Sequence, residues 1–341
     1  MYVRKNKLCE KIVFIDGMWG TGKAILAPVI GSFEGVEKQV LNHNFEYICA
    51  ILNNENKIKG NSQALLQLIA DVALFNSMIS REVNFRPADI TGVFKNPFTM
   101  RYFKRLLKPG DDAITDEITT KKPFLQIMSH NILPISNLLF HTFGTGVRLV
   151  DMVRHPVYMA EHWFNYIERV GIDKREFTLG VGEEGEIPWF AKDINNYLSL
   201  NTMDKVIYSM QSLTKMQEEI LKSHNKKIMD NIILIPFESF VLDPIPWVKD
   251  LAILLDTKTT NITIKTLKNE KCPRDSIHAG KGMKGYGWQK DTLKLSEESD
   301  FFRRLEFIKN NTSNETFSIM ETLSSQYQKK YNFPRKMPWD T

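Results

Sequence analysis

The chain has 341 residues, 43% of them apolar and 25% charged, with a net charge of +5 from 45 basic and 40 acidic side chains. That length supports a sizeable α/β core without a disulfide or metal to hold it, and so mild a basic excess suits a small anionic ligand rather than nucleic acid. Cys9, Cys49 and Cys272 stand far apart, with no Cys-x-x-Cys or Cys/His spacing; this argues against a structural zinc site and fits reduced thiols in a cytoplasmic setting.

The start of the chain is basic, but its apolar run is short and leads into a glycine loop rather than a secretory signal. No stretch is long and apolar enough to span a bilayer. Lys11 to Ile15, KIVFI, is the β-branched and aromatic run that a strand covered on both faces requires. DGMWGTGK follows, then AILAPVIGSF with apolar residues at helical spacing. Strand, glycine loop and helix form the P-loop arrangement, and Gly17-x-x-x-x-Gly22-Lys23 fills the first seven positions of that motif. Its glycines allow successive backbone N–H groups to converge on phosphate oxygens, while the helix start and Lys23 add positive charge. Magnesium-dependent nucleotide enzymes carry Ser or Thr at the next position, whereas this chain has Ala24. The loop residues Gly17, Trp19, Gly20, Thr21, Gly22, Lys23 and Ala24 are therefore expected to cradle an anion with no metal ion.

Residues 60–79 carry a helical pattern that reads as a packing helix. Within 86–112, Arg101, Lys104 and Arg105 alternate with Phe98, Tyr102 and Phe103; a solvated helix face with its aromatics inward is the simpler reading, and contact with an acceptor the other. PFLQIMSHNILP, 123–134, reads as a strand ending at Ser129-His130. Polar residues at the carboxyl end of a strand sit where open α/β sheets bind ligands. His130 is either a general base, with an intrinsic pKa near neutrality, or a histidine that satisfies loop backbone. Val147 to Val153 is a strand, Arg154-His155-Pro156 a turn, and Val157 to Val170 a helix with proline near its start. Arg154 can grip a phosphate with two hydrogen bonds or pair with a local carboxylate.

Taken together, these segments resemble the sulfotransferase family that uses 3′-phosphoadenosine 5′-phosphosulfate (PAPS). The glycine loop 17–24 is similar to the family's loop after strand one. Met128-Ser129-His130 with Pro134 is similar to its histidine-bearing strand end, and Val153-Arg154-His155-Pro156 to the strand end that binds the 3′-phosphate; the histidine and arginine lie 24 residues apart, near the family's interval. NIILIPFESFVLD, 231–243, resembles the late strand and acidic-led helix. HAGKGMKGYGWQKDTLKLS, 278–296, resembles the terminal glycine, lysine and tryptophan motif. The chain departs from the pattern at Met128, where the family often has lysine, and at His162, where a serine usually follows the arginine by eight residues. It also departs at Lys23, which follows Gly20-Thr21-Gly22 rather than preceding it, and at Trp288, displaced by one residue.

The resemblance implies a three-layer α/β/α fold of P-loop NTPase-like type around a mostly parallel sheet, as one domain over 1–341 with inserted helices and a surface tail at 332–341. It implies PAPS as donor and no metal. Lys23 and His130 are then the catalytic residues, and the loop, Arg154, His162, Lys281, Gly282 and Lys284 hold the donor. The acceptor is a small molecule or glycan offering a hydroxyl or amine. Two other readings remain at this point: a P-loop kinase or nucleotide hydrolase using ATP or GTP, with Asp151 the nearest Walker-B candidate, and a nucleotide-binding module without catalysis. Toward the C-terminus, 296–310 begins with Ser and Glu at capping spacing and reads as an amphipathic helix, followed by a last helix to about Tyr331. Residues 180–185, GVGEEG, read as a flexible acidic loop.

Overall fold

The computed structural model describes residues 2–52, 59–89, 91–108, 111–277 and 295–333. Lys281, Gly282, Lys284 and Trp288, together with most of the tail, lie outside the described residues. In chain order the elements begin with β1 (Lys11–Asp16), α1 (Leu26–Ile30), β2 (Val36–Leu41), α2 (Asn44–Leu52), α3 (Lys59–Met78), α4 (Thr99–Leu106), α5 (Asp111–Lys121), β3 (Phe124–Met128) and α6 (Asn137–Phe143). They continue with β4 (Val147–Val153), α7 (Pro156–Ile167), β5 (Gly180–Val181), β6 (Ile187–Pro188), α8 (Thr202–Ser223), α9 (Lys226–Met229) and β7 (Ile232–Pro236). The last are α10 (Phe237–Leu242), α11 (Pro244–Leu254), α12 (Thr263–Asn269), α13 (Glu297–Asn310) and α14 (Asn314–Tyr331).

Five strands form one parallel sheet in the order β2-β3-β1-β4-β7. Successive residues of a strand point to opposite faces, and every residue of β3 and all but the first of β1 are buried. Both faces of the sheet are therefore covered by helices, which makes this a three-layer α/β/α fold of P-loop type. β1 leads back across β3 to β2, whereas β4 leads outward to β7. Their connections leave in opposite directions, so the carboxyl ends of β1 and β4 flank a switch point, the place where open α/β sheets bind ligands.

Three local expectations differ in the structure. The helix anticipated over 24–33 is a 3₁₀ turn, Lys23–Ile25, followed by the five residues of α1. Pro28 has no N–H to give to Ala24 O, so the α-helix cannot begin at Ala24, and Gly31 begins the turn toward β2. Residues 180–185 form the start and tip of the β5–β6 hairpin. On α4, Arg105 does not face solvent: it is buried with Tyr102 against β2. Its guanidinium donates to Glu37 Oε2 at 2.6 Å and to Oε1 at 3.0 Å, and the Tyr102 hydroxyl donates to Oε2 at 2.7 Å. Among the described residues, no helix is long and apolar enough to cross a membrane.

Candidate active site

The loop after β1 is folded by its own atoms. Gly17 has φ 141° and Gly22 φ 83°. A Cβ at Gly17 would stand 2.5 Å from Met152 O, and one at Gly22 would stand 2.4 Å from the Phe237 ring; only glycine fits either position. Thr21 closes the turn by donating its hydroxyl to Met18 O at 2.9 Å. Lys23 Nζ folds back onto Gly17 O at 2.5 Å and Met18 O at 3.3 Å. It is 6% exposed. Burial lowers its pKa to about 8, against the pull of Asp16, Asp151 and Glu46. The Trp19 ring packs on Tyr166, with centroids 3.7 Å apart, and on Trp163 at 4.6 Å. Its side chain is thus committed to an aromatic cluster, which leaves the backbone as its contribution to a ligand. Ala24 is half-buried in the 3₁₀ turn and brings no oxygen.

Arg154 ends β4 across the switch point. It donates to Gly20 O at 2.9 Å and lies over the Phe237 ring, 4.1 Å from the centroid. Its Nε is buried and meets no acceptor. Burial brings its pKa down to about 10, with Glu238 raising it and Arg304 and Arg274 adding like charge. Arg274, which the sequence reading did not single out, covers the same Phe237 ring at 5.5 Å. Two guanidinium groups on one ring, one of them with an orphaned N–H, are chemically suited to an anion. His162 packs α7 against the loop, 3.2 Å from where a Cβ at Gly20 would stand. Its pKa falls to about 4 through burial and the charges of Lys23, Arg154 and Arg169.

His130 lies just past β3 and is half-buried. Burial, then Lys23, His43 and His162, holds its pKa well below the usual histidine range, not near neutrality as the residue type alone suggests. The segment that carries it is pinned by Asp16, which accepts from Ser129 Oγ at 3.0 Å and from Leu133 N at 2.8 Å. Beside His130 stand two residues that sequence reasoning passed over, His43 and Glu46, at the start of α2. Glu46 is buried. Desolvation and Asp16 raise its pKa to about 8, with Lys23, the His130 backbone and Trp189 acting the other way. The signal was available as His43-x-x-Glu46, a spacing that places both on one helix face just past a strand end.

At the carboxyl edge of β1, β3 and β4, Lys23 and His162 thus stand close enough to His130 to lower its pKa, and Lys23 and Arg154 close enough to lower that of His162. Along that edge an open cavity runs past Gly17, Thr21, Asn131, Asp151 and Arg154 toward α8 and α14. Asp151, the Walker-B candidate, is buried; burial and Asp16 raise its pKa well above the carboxylate range, and Gln217 donates to it at 2.6 Å.

No protein-family model matches the chain, and no curated protein matches it. Among solved structures it is similar to the sulfotransferase domain from the curacin biosynthetic pathway, at TM-score 0.41 and 13% identity over 97% of this chain and 94% of that one. It is similar also to the sulfotransferase domain of the Synechococcus olefin synthase, at TM-score 0.45 and 10% identity over 99% of each chain. A third is a sulfotransferase from Mycobacterium avium, at TM-score 0.43 and 10% identity over 96% of this chain and 78% of that one. Values this low do not assign an activity, and the functional reading rests on the site.

Proposed function

We propose that this protein is a sulfotransferase that moves a sulfuryl group from PAPS to a hydroxyl or amine of a small-molecule or glycan acceptor, with His130 as general base. The observation that carries the reading is the meeting, at the switch point, of a glycine loop without a magnesium ligand, a neutral histidine, and a buried guanidinium whose Nε meets no acceptor. The buried Nε of Arg154 lacks an acceptor, which an oxygen of a bound anion would supply. In this reading Arg154, His162 and Arg274 hold the 3′-phosphate, together with Lys281, Gly282 and Lys284. The loop amides from Gly17 to Ala24 take the 5′-phosphosulfate.

In the transfer, the acceptor oxygen or nitrogen bonds to sulfur while the bond from sulfur to the bridging phosphate oxygen breaks. His130 takes the acceptor's proton. Lys23, released from the Gly17 and Met18 carbonyls, meets the charge left on the bridging oxygen. The low pKa of His130 keeps its lone pair free. A polyanion bound beside Lys23 offsets its charge and raises that pKa toward working pH. Fixed charges and positioning supply most of the acceleration.

A thermal-shift comparison tests the reading. Adenosine 3′,5′-bisphosphate is expected to stabilise the protein, and ATP with magnesium is not. The reverse result would sink the proposal in favour of a magnesium-nucleotide enzyme, and binding of the bisphosphate with no transfer from PAPS to any of a panel of hydroxylated and amino acceptors would leave a binding module.

A further inference from the structure

We propose that His43, Glu46 and His130 form a binding site for one divalent first-row metal ion, Zn²⁺ being the ion the donor set suits. Each offers one ligand atom, and the three atoms lie within 4.8 Å of one another. The arrangement arises from the fold. β2 and β3 are parallel neighbours, so the segments that leave their carboxyl ends emerge on the same edge. His43 and Glu46 sit three residues apart at the start of α2, with His43 O accepting from Tyr47 N at 2.9 Å, so both project from one face. His130 meets them from the next strand. The two imidazole rings are nearly parallel, 16° apart in plane with centroids 6.0 Å apart. The His43 ring is held from outside by Tyr47, at 5.9 Å.

A second observation points to a ligand. Glu46 is 7% exposed, and no donor meets its buried Oε2 at full hydrogen-bond geometry, although the His130 backbone and the Trp189 side chain stand near enough to lower its pKa. Buried carboxylates are normally paired or bound to a metal, and an unsatisfied buried acceptor is costly. Two imidazoles and one carboxylate with a fourth position open is a common donor set for zinc that must also meet a ligand. Metal–ligand distances of about 2.0–2.2 Å put neighbouring donors roughly 3.3 Å apart, so the three atoms, now within 4.8 Å of one another, would draw in on the ion. Lys23 is the opposing cation nearby, and it is tied to the Gly17 and Met18 carbonyls.

The consequence for activity rests on the function proposed above; the binding itself does not. Proton acceptance by His130 and ligation by His130 use the same lone pair, so the ion inhibits transfer. Full-length protein dialysed against Zn²⁺ should retain about one ion per chain, and Co²⁺ should give the intense visible spectrum of a four-coordinate site. His43→Ala should weaken Zn²⁺ binding by more than roughly tenfold and relieve zinc inhibition of sulfuryl transfer, while adenosine 3′,5′-bisphosphate binds as before. Failure of the unmodified protein to retain stoichiometric zinc, or equal retention by His43→Ala, overturns the site. Should that variant misfold, diffraction from wild-type crystals at the zinc edge decides the matter: an ion between the three side chains supports it, and an ion elsewhere refutes it. Retention of zinc by a protein without sulfuryl transfer would remove only the inhibitory role.

Discussion

Two buried clusters of this protein each contain a glutamate, an arginine and a ring, and they are built to opposite ends. In the first, between α4 and β2, Arg105 grips both oxygens of Glu37, and Tyr102 both donates to Glu37 and accepts from Lys38 N at 2.6 Å. Burial would raise the Glu37 pKa, but the Arg105 bonds and charge bring it below its ordinary value. In the second, at the carboxyl edge of β1, β3 and β4, Glu46 Oε2 and Arg154 Nε are buried and meet no partner at full hydrogen-bond geometry, and Lys23, Glu46 and Asp151 all shift toward their neutral forms. A buried charge that is satisfied ties two elements together; one left wanting is poised for something not yet bound. That contrast separates scaffold from site more clearly than charge or burial alone.

Substitutions in the two clusters should therefore fail in different assays. The largest effect belongs to His130→Ala, which should cut the turnover of sulfuryl transfer by roughly 10²–10⁴-fold with bisphosphate binding and unfolding midpoint little changed; near-normal turnover would remove His130 from the chemistry. Arg105→Ala should act the other way round. Stripped of its bidentate partner, buried Glu37 keeps only the Tyr102 hydroxyl and Arg101 at 3.4 Å, at a cost of up to about 3–5 kcal/mol, read by urea unfolding, while turnover per folded molecule stays at the wild-type value. The sign with pH is fixed by the depressed Glu37 pKa: its contribution is full above 4.5, the ordinary value, and lost as pH falls through the lower folded one. A Glu37→Gln variant should lose that acid-side slope. Arg154→Ala sits between the two. Without a charged hydrogen bond to the ligand, affinity for adenosine 3′,5′-bisphosphate in calorimetry should fall roughly 10- to 100-fold, for about 1.5–3 kcal/mol, and an unchanged affinity would move the anion elsewhere.

The sequence made the scaffold of the site visible because its parts are local. The run Lys11 to Ile15, the glycines at 17, 20 and 22, and the strand leading to Arg154 each declare themselves within a few residues. So does Ser296, which caps α13 through its side chain. The features that stayed hidden depend on partners distant in the chain. Arg105 reads as part of a basic, exposed face until β2, 68 residues earlier, brings Glu37 under it. Glu46 reads as an ordinary helical glutamate, and only the parallel pairing of β2 with β3 sets it against His130. Trp19, inside a glycine loop, reads as facing a ligand; α7 supplies Trp163 and Tyr166 to hold it in the core, with Trp163 Nε1 donating to Trp19 O at 2.8 Å. The shortness of α1 was written locally, in Pro28 and Gly31, and the apolar periodicity of the segment outweighed it.

Asp151 marks the boundary between the two kinds of cluster, and it yields the smallest effect. It lies in register with Asp16 across β1 and β4, has one partner in Gln217, and lines the cavity. Burial, then Asp16, holds its pKa well above the carboxylate range, so the folded protein binds a proton that the unfolded chain releases above 3.8, the ordinary value. Stability then falls as pH rises beyond that value, until the folded pKa is reached. Asparagine keeps an oxygen for Gln217 and cannot ionise. Asp151→Asn should therefore be more stable than wild type by on the order of 1 kcal/mol at pH 8, and by less at pH 5, in urea unfolding at both values. Equal slopes for the two proteins would mean that Asp151 is ionised in the fold; a charged carboxylate would then face the cavity, and the region between β4, α8 and α14 would become a place for a cation rather than a neutral wall beside an anion site.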